Sequence, residues 1–161
     1  MADINSLNFK ALLANATNHV FDTMLSMHIE AVQADSDMIK DSCQIVGSVG
    51  FAGEVAGCMN IHVGGAFARQ ITAAMLGEDS QEVGEDAVFD VVGELSNMIG
   101  GDVKSRLCDA GMPCILSIPT TTSGSNFTIE SQGWSRHEFL AFRSDEHIAL
   151  VEVYVKLNNS M

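Results

Sequence analysis

Along residues 7–33 apolar side chains recur at Phe9, Leu13, Ala16, Val20, Met24, Met27 and Ala31. Steps of three and four keep one side of an α-helix apolar, so the spacing predicts a long amphipathic first helix. Further on, two β-leaning runs, Cys43 to Phe51 and Val55 to Val63, flank Ala52, Gly53 and Glu54. That turn chemistry predicts an antiparallel hairpin. Phe67, Ile71 and Met75 restore the helical period in a short second helix, with Gly77 placed where a helix stops. An acidic loop, EDSQEVGED, follows.

From Met112 onward the period falls to two: CILSIPT, a TTSGSN loop, FTIESQ, HEFLAFRS, a turn at SDE, and HIALVEVYVKL. In the last run Ala149, Val151, Val153, Val155 and Leu157 alternate with Ile148, Leu150, Glu152, Tyr154 and Lys156, the pattern of a strand with one well-buried face. The carboxyl third is therefore expected to be a meander of about three or four strands. With 161 residues, no low-complexity tract and no linker, the chain is expected to form a single domain over 1–161. Its expected class is α/β (α+β), an antiparallel sheet with helices packed mainly on one face.

Between the acidic loop and Met112 lies a third helical segment that includes GELSNMIGGDV at residues 93–103. With Asp90 at zero and about 100° per residue, Val91, Val92, Leu95, Met98 and Ile99 fall between about 80° and 200°, a coherent core face. Asp90, Glu94, Asn97 and Gly101 fall within about 40° of zero, almost opposite. Glu94 and Asn97 are one turn apart, so a carboxylate and a carboxamide project from one exposed patch. Gly93, Gly100 and Gly101 surround them. An interior helical glycine costs roughly 1 kcal/mol relative to alanine, and core packing does not explain that cost on an exposed side. Bare backbone there would let another protein's backbone approach Glu94 and Asn97.

Exposed helix faces are ordinarily polar, so the stripe alone also fits plain solvated surface. The glycines equally fit a crossing helix or a bend. Beyond Gly101 the pattern slips, with Asp102 and Arg106 returning to the core bearing while Val103 and Leu107 leave it.

Twenty-one acidic against eight basic residues give a formal charge of −13. Such a chain repels phosphate backbones and anionic lipid, which argues against nucleic acid and membrane partners. The amino end, MADINSLNFK, lacks the basic flank and short apolar core of a secretory signal, and no long apolar run appears, which points to the cytoplasm. Cys43, Cys58, Cys108 and Cys114 make no C-x-x-C pair and are expected to be reduced, mostly buried thiols. The histidines make no metal-ligand pattern, so no resident metal is expected. GSVGFAGEVAG lacks the order of a phosphate-binding loop, and no Gly-x-Ser-x-Gly elbow supports nucleophilic catalysis.

Asp90-x3-Glu94-x2-Asn97, followed after 21 intervening residues by Pro119 in LSIPT, resembles the signature of the CheC, CheX and FliY family of chemotaxis phosphatases. GSVGFAGEVAGCMNIHV is similar to that family's glycine-rich hairpin, AAMLGED to its short helix and acidic loop, and GELSNMIGG to its active-site helix. The similarity runs over roughly residues 8 to 157. One copy of the signature in a short chain is similar to CheX rather than to CheC.

The resemblance implies hydrolysis of the aspartyl phosphate on a phosphorylated CheY-type response regulator. It assigns Asn97 to positioning the attacking water and Glu94 to anchoring the regulator through the lysine bordering its phosphorylation site. Asp90 would support the helix, and Gly93, Gly100 and Gly101 would lie at the partner contact. It implies no cofactor of the chain's own, a magnesium ion (Mg2+) on the regulator, and a homodimer. Dimerisation would also cover a sheet edge expected at the Val- and Ile-rich last strands. The alternative, from another class, is a non-catalytic module that binds a response regulator or a motor protein through the same fold.

Overall fold

A computed structural model of the chain describes residues 3–33 and 43–157. After a 3-10 turn at Ile4–Ser6 come α1 (Phe9–Leu25), β1 (Glu30–Val32), β2 (Gln44–Gly53), β3 (Val55–Gly64), α2 (Gly65–Leu76) and α3 (Glu85–Asp109). Four strands complete the chain: β4 (Cys114–Leu116), β5 (Thr120–Gly124), β6 (Arg136–Ser144) and β7 (His147–Leu157). One antiparallel sheet takes the order β1-β6-β7-β3-β2-β4, with β5 also paired to β2.

The β2–β3 hairpin stands where the sequence places it, with Phe51 opposite Gly57 and Gln44 opposite Gly64. The α2 helix also ends where expected, because Gly77 takes the left-handed conformation (φ 68°) that closes a helix at low steric cost.

The first helix is shorter than its periodicity suggests. Asn8 caps its start by accepting from the Ala11 N–H at 3.1 Å, and Ser26 ends it at φ 50°, donating back to the Phe21 carbonyl. Residues 30–32, expected within that helix, instead form β1 along β6. Met24 is exposed while Phe21 and Leu25 are buried, because α2 lies on that flank and Phe67 meets the Phe21 ring at 6.2 Å between centroids.

The carboxyl third is not a meander. β4 and β5 both return to β2, at Phe51–Gly53 and at Gln44–Ser48, while β6 and β7 form a hairpin beyond β3. The TTSGSN segment, expected as a loop, supplies most of β5, and FTIESQ, expected to extend, has no regular structure. Threonines favour a strand when a neighbour offers its backbone, and that neighbour is β2, distant in sequence. β7 is also not an edge strand. It lies between β6 and β3, so the edge argument for a dimer does not apply to it.

All three helices cover one face of the sheet, as expected. Ile45, Val49 and Phe51 of β2, Met59, Ile61 and Val63 of β3, Val151, Val153 and Val155 of β7, and Phe142 of β6 join the helices in one core. The alternate residues form the other face, where Asn60, His62, His137, Glu152 and Tyr154 stand on adjacent strands. Segment 127–134 lies over that face: Gln44 Nε2 donates to the Phe127 carbonyl at 2.8 Å, and the Trp134 ring stands 6.5 Å from Tyr154. Both faces of β7 are therefore covered, and Ala149 to Val155 are all buried.

Of the cysteines, only Cys114 is fully buried; Cys58 and Cys108 are half-buried and Cys43 is exposed. This corrects the expectation of mostly buried thiols. Cys43 stands just before β2, and Cys108 lies in the last turn of α3, positions that leave side chains open on one side.

Candidate active site

α3 runs unbroken for 25 residues, with Glu85 and Asp86 in its first turn and Arg106 in its last, charges that oppose the helix dipole. It packs between the sheet on one flank and α1 and α2 on the other. Val91, Val92, Leu95 and Ile99 are buried, as the wheel predicts, and Met98, placed on the same face, is half-buried. A second buried row, Gly93, Ser96, Gly100, Val103 and Leu107, lies on the adjoining flank. The slip beyond Gly101 falls within one unbroken helix. In its last turns the helix buries the sheet-facing flank, and the other flank turns outward, where Arg106 Nε donates to Asp102 at 2.6 Å.

The polar stripe occupies what is left. Asp90 and Glu94 are exposed and Asn97 is half-buried, one helical turn from Glu94. These three side chains share the outward face, so the structure brings the carboxylate and the carboxamide together on one side of α3.

The glycines divide into two groups. A methyl group on Gly93 would stand 3.1 Å from Thr121 Oγ1, and one on Gly100 would stand 2.6 Å from Val49 Cγ2. Both positions are buried against the protein's own strands. Only Gly101 is part-exposed and roomy, with Leu116 Cδ1 3.9 Å from the same point. β2 reciprocates this close approach, since a methyl group on Gly47 would meet the Val92 carbonyl oxygen at 2.7 Å and Ser96 Cβ at 3.0 Å. Ser96 itself is fully buried and donates to the Gly93 carbonyl at 2.7 Å.

Pro119 sits in the connection between β4 and β5. Leu116 lies beside Gly100 and Gly101, while Thr121 lies beside Gly93 and donates to the Phe89 carbonyl at 3.1 Å. The residues between them therefore run along the Gly93–Gly100 flank of α3. Ser117 fixes this strap: its N–H donates to the Gly50 carbonyl at 2.9 Å, and its hydroxyl oxygen accepts from the Gly50 N–H at 2.8 Å. Thr121 and Ser117 escaped the sequence reading. No local pattern marks a side chain whose partner lies 32 or 67 positions away.

A cavity of about 440 Å³ lies elsewhere, on the face of the sheet away from the helices, lined by His62, His137, Phe139, Glu152 and Tyr154 among others. Glu152 is the centre of its floor. His62 Nε2 approaches one carboxylate oxygen at 2.9 Å, Asn60 Nδ2 donates to the same oxygen at 3.1 Å, and His137 Nε2 approaches the other at 2.8 Å. Burial alone would raise the Glu152 pKa, but the hydrogen bonds from His62, Asn60 and His137, with the charge of His62, outweigh it and hold the carboxyl below its usual range. Tyr154, stacked on His137 at 4.1 Å, is pushed up to about 12, first by burial and then by Glu152. Among the described residues no three His, Cys, Asp or Glu side chains are placed to hold a metal ion. No helix of the described residues is long and apolar enough to cross a membrane.

The family model for chemotaxis phosphatase CheX matches residues 45–143, from β2 into β6. No curated protein matches the chain. Among solved structures, chemotaxis protein CheX from Vibrio vulnificus superposes with a TM-score of 0.81 at 24% identity, over 93% of this chain and 97% of that one. A CheC-like superfamily protein from Shewanella sp. PV-4 gives 0.80 at 26% identity, over 94% and 99%. The CheX–CheY–BeF3–Mg2+ complex from Borrelia burgdorferi gives 0.77 at 22% identity, over 92% and 98%. The chain belongs to the chemotaxis phosphatase CheX family, as a CheX-like member of the CheC, CheX and FliY group.

Proposed function

We propose that this protein hydrolyses the aspartyl phosphate of a CheY-type response regulator. The observation that carries the reading is the outward stripe of α3: Glu94 and Asn97 are presented one turn apart on a helix otherwise buried on two flanks, in a chain of the CheX family. The fold likeness to a CheX found in complex with CheY supports the choice of partner. The exposure of Asp90 and Glu94 on the outer side of the helix supports it as well. A small substrate needs a concavity in the enzyme, whereas a receiver domain brings its own active-site cleft and needs only side chains that reach in.

An acyl phosphate is already activated, so catalysis reduces to holding a water in line with phosphorus while the carboxylate leaves. Water adds to phosphorus, the bond to the aspartyl oxygen breaks, and aspartate and inorganic phosphate result. The Asn97 carboxamide accepts a hydrogen bond from that water, and its amide group can donate to a neighbouring oxygen without changing protonation at neutral pH. Glu94 anchors the partner by pairing with a lysine beside the phosphorylation site. Asp90, one turn before Glu94, supports the stripe. The magnesium ion belongs to the receiver and this chain holds none of its own. We place the reaction in the cytoplasm, and the working form as a homodimer within one 1–161 domain.

The test follows decay of a phosphorylated receiver domain from the same cell, alone and with this protein, its Asn97→Ala variant and its Glu94→Ala variant, with binding measured in parallel. Accelerated decay that Asn97→Ala abolishes while binding persists supports the assignment. Binding of every candidate receiver without acceleration would make the chain a docking module and overturn the catalytic role.

A further inference from the structure

The end of α3 carries a feature that the stripe does not use. Cys108 lies in the last turn of the helix, and the chain then folds back at once: the Gly111 N–H donates to the Cys108 carbonyl at 3.0 Å, and the Met112 N–H to the Leu107 carbonyl at 2.9 Å. Gly111 takes φ 85°, the left-handed conformation such a reversal requires. The fold-back returns Cys114, the first residue of β4, to the flank of Cys108. The Cys108 Sγ lies 3.9 Å from the Cys114 carbonyl oxygen, which brings the two residues side by side.

The two sulfurs differ in surroundings. Cys108 is half-buried, whereas Cys114 is 6% exposed, closed in by the hairpin turn, where a methyl group on Gly53 would already stand 3.1 Å from its Cβ. Burial and the adjoining Cys108 keep the Cys114 thiol protonated above its ordinary range, against the pull of Lys104. Lys104 stands one turn before Cys108 on the same side of α3.

We propose that Cys108 and Cys114 form a peroxide-reactive dithiol site that closes to an intramolecular disulfide. Cys108 attacks hydrogen peroxide: an S–O bond forms, the O–O bond breaks, and water leaves, giving the sulfenic acid at Cys108. The Cys114 sulfur then attacks Cys108, the S–S bond forms, the S–O bond breaks, and the hydroxyl departs with the Cys114 proton as a second water. Two thiols lose two hydrogens and one peroxide is reduced. The bridge ties the end of α3 to β4, whose Leu116 lies against Gly100 and Gly101 and leads into the connection that carries Pro119.

The experiment uses the full chain, reduced and then exposed to hydrogen peroxide, with intact mass, peptide mapping and thiol titration before and after dithiothreitol. The expected result is loss of two of the four thiols, a mass lower by two hydrogens, and a 108–114 crosslink within one chain that the reductant reverses. In Cys114→Ser the crosslink is lost and Cys108 gains oxygen instead. The readings on the unaltered chain stand by themselves should that variant not fold. Oxygen addition at Cys108 of the unaltered protein without a crosslink would overturn the proposal, as would a crosslink through Cys43 or Cys58.

Discussion

Gly47→Ala isolates the contact that positions α3 against β2. The new methyl group would stand 2.7 Å from the Val92 carbonyl oxygen and 3.0 and 3.1 Å from Ser96 Cβ and Oγ. Comfortable heavy-atom contacts begin at about 3.5 Å, so β2 and α3 must separate by several tenths of an ångström. Overpacking of this kind costs about 1–3 kcal/mol, and the upper half applies because the opposing oxygen belongs to the helix backbone and cannot rotate away. Reduced freedom of the unfolded chain recovers about 0.5–1 kcal/mol. The net loss is about 1–2.5 kcal/mol, a fall of roughly 2–10 °C in Tm for a chain of this length. Gly101→Ala is the control: its methyl group meets nothing nearer than 3.9 Å, and helix propensity favours it by up to about 1 kcal/mol. Urea and thermal unfolding of both variants beside the parent give the comparison. Equal stability of Gly47→Ala and the parent within about 0.5 kcal/mol, or Gly101→Ala as destabilised as Gly47→Ala, would refute the reasoning.

Other sites give sharp expectations. Glu152 has a lowered pKa in the fold, so its contribution to stability is present above the unfolded carboxylate range and is lost as pH falls through the folded value. Acid unfolding of Glu152→Gln should therefore show a shallower pH dependence than the parent, and an identical slope would contradict the hydrogen-bond account. Arg136 donates to the carbonyls of Ile4 and Leu7, both at 2.8 Å, and lies over the Phe9 ring. Arg136→Ala should cost about 2–3 kcal/mol in urea unfolding by leaving two carbonyls without their charged donor. Arg106→Ala, by contrast, breaks a pair whose arginine is 39% exposed, and should cost under about 1 kcal/mol, less still at high salt.

Periodicity alone determined α2, the β2–β3 hairpin, the core face of α3 and the outward bearing of Asp90, Glu94 and Asn97. These depend on neighbours within a turn or a hairpin, where side-chain direction follows from spacing. The family resemblance was legible for the same reason: its motif lies within one helix and the connection after it. The sequence could not say which glycines stay open at the surface and which meet the protein's own sheet. Gly93 and Gly100 look alike on a helical wheel, yet Thr121 and Val49 occupy the space beside them only because β5 and β2 come back to that flank.

The same limit explains the other differences. The threonines of β5 carry no partner in their own neighbourhood, and β1 takes its shape from β6, more than a hundred residues later. Glu152 looked like one polar position of an alternating strand. Its burial, and its place between His62 and His137, follow from the pairing of β3, β7 and β6. Local spacing sets which way a side chain points. What it meets there depends on chain reversals that bring distant segments together, and their cost and reward are settled only when the whole sheet closes over its helices.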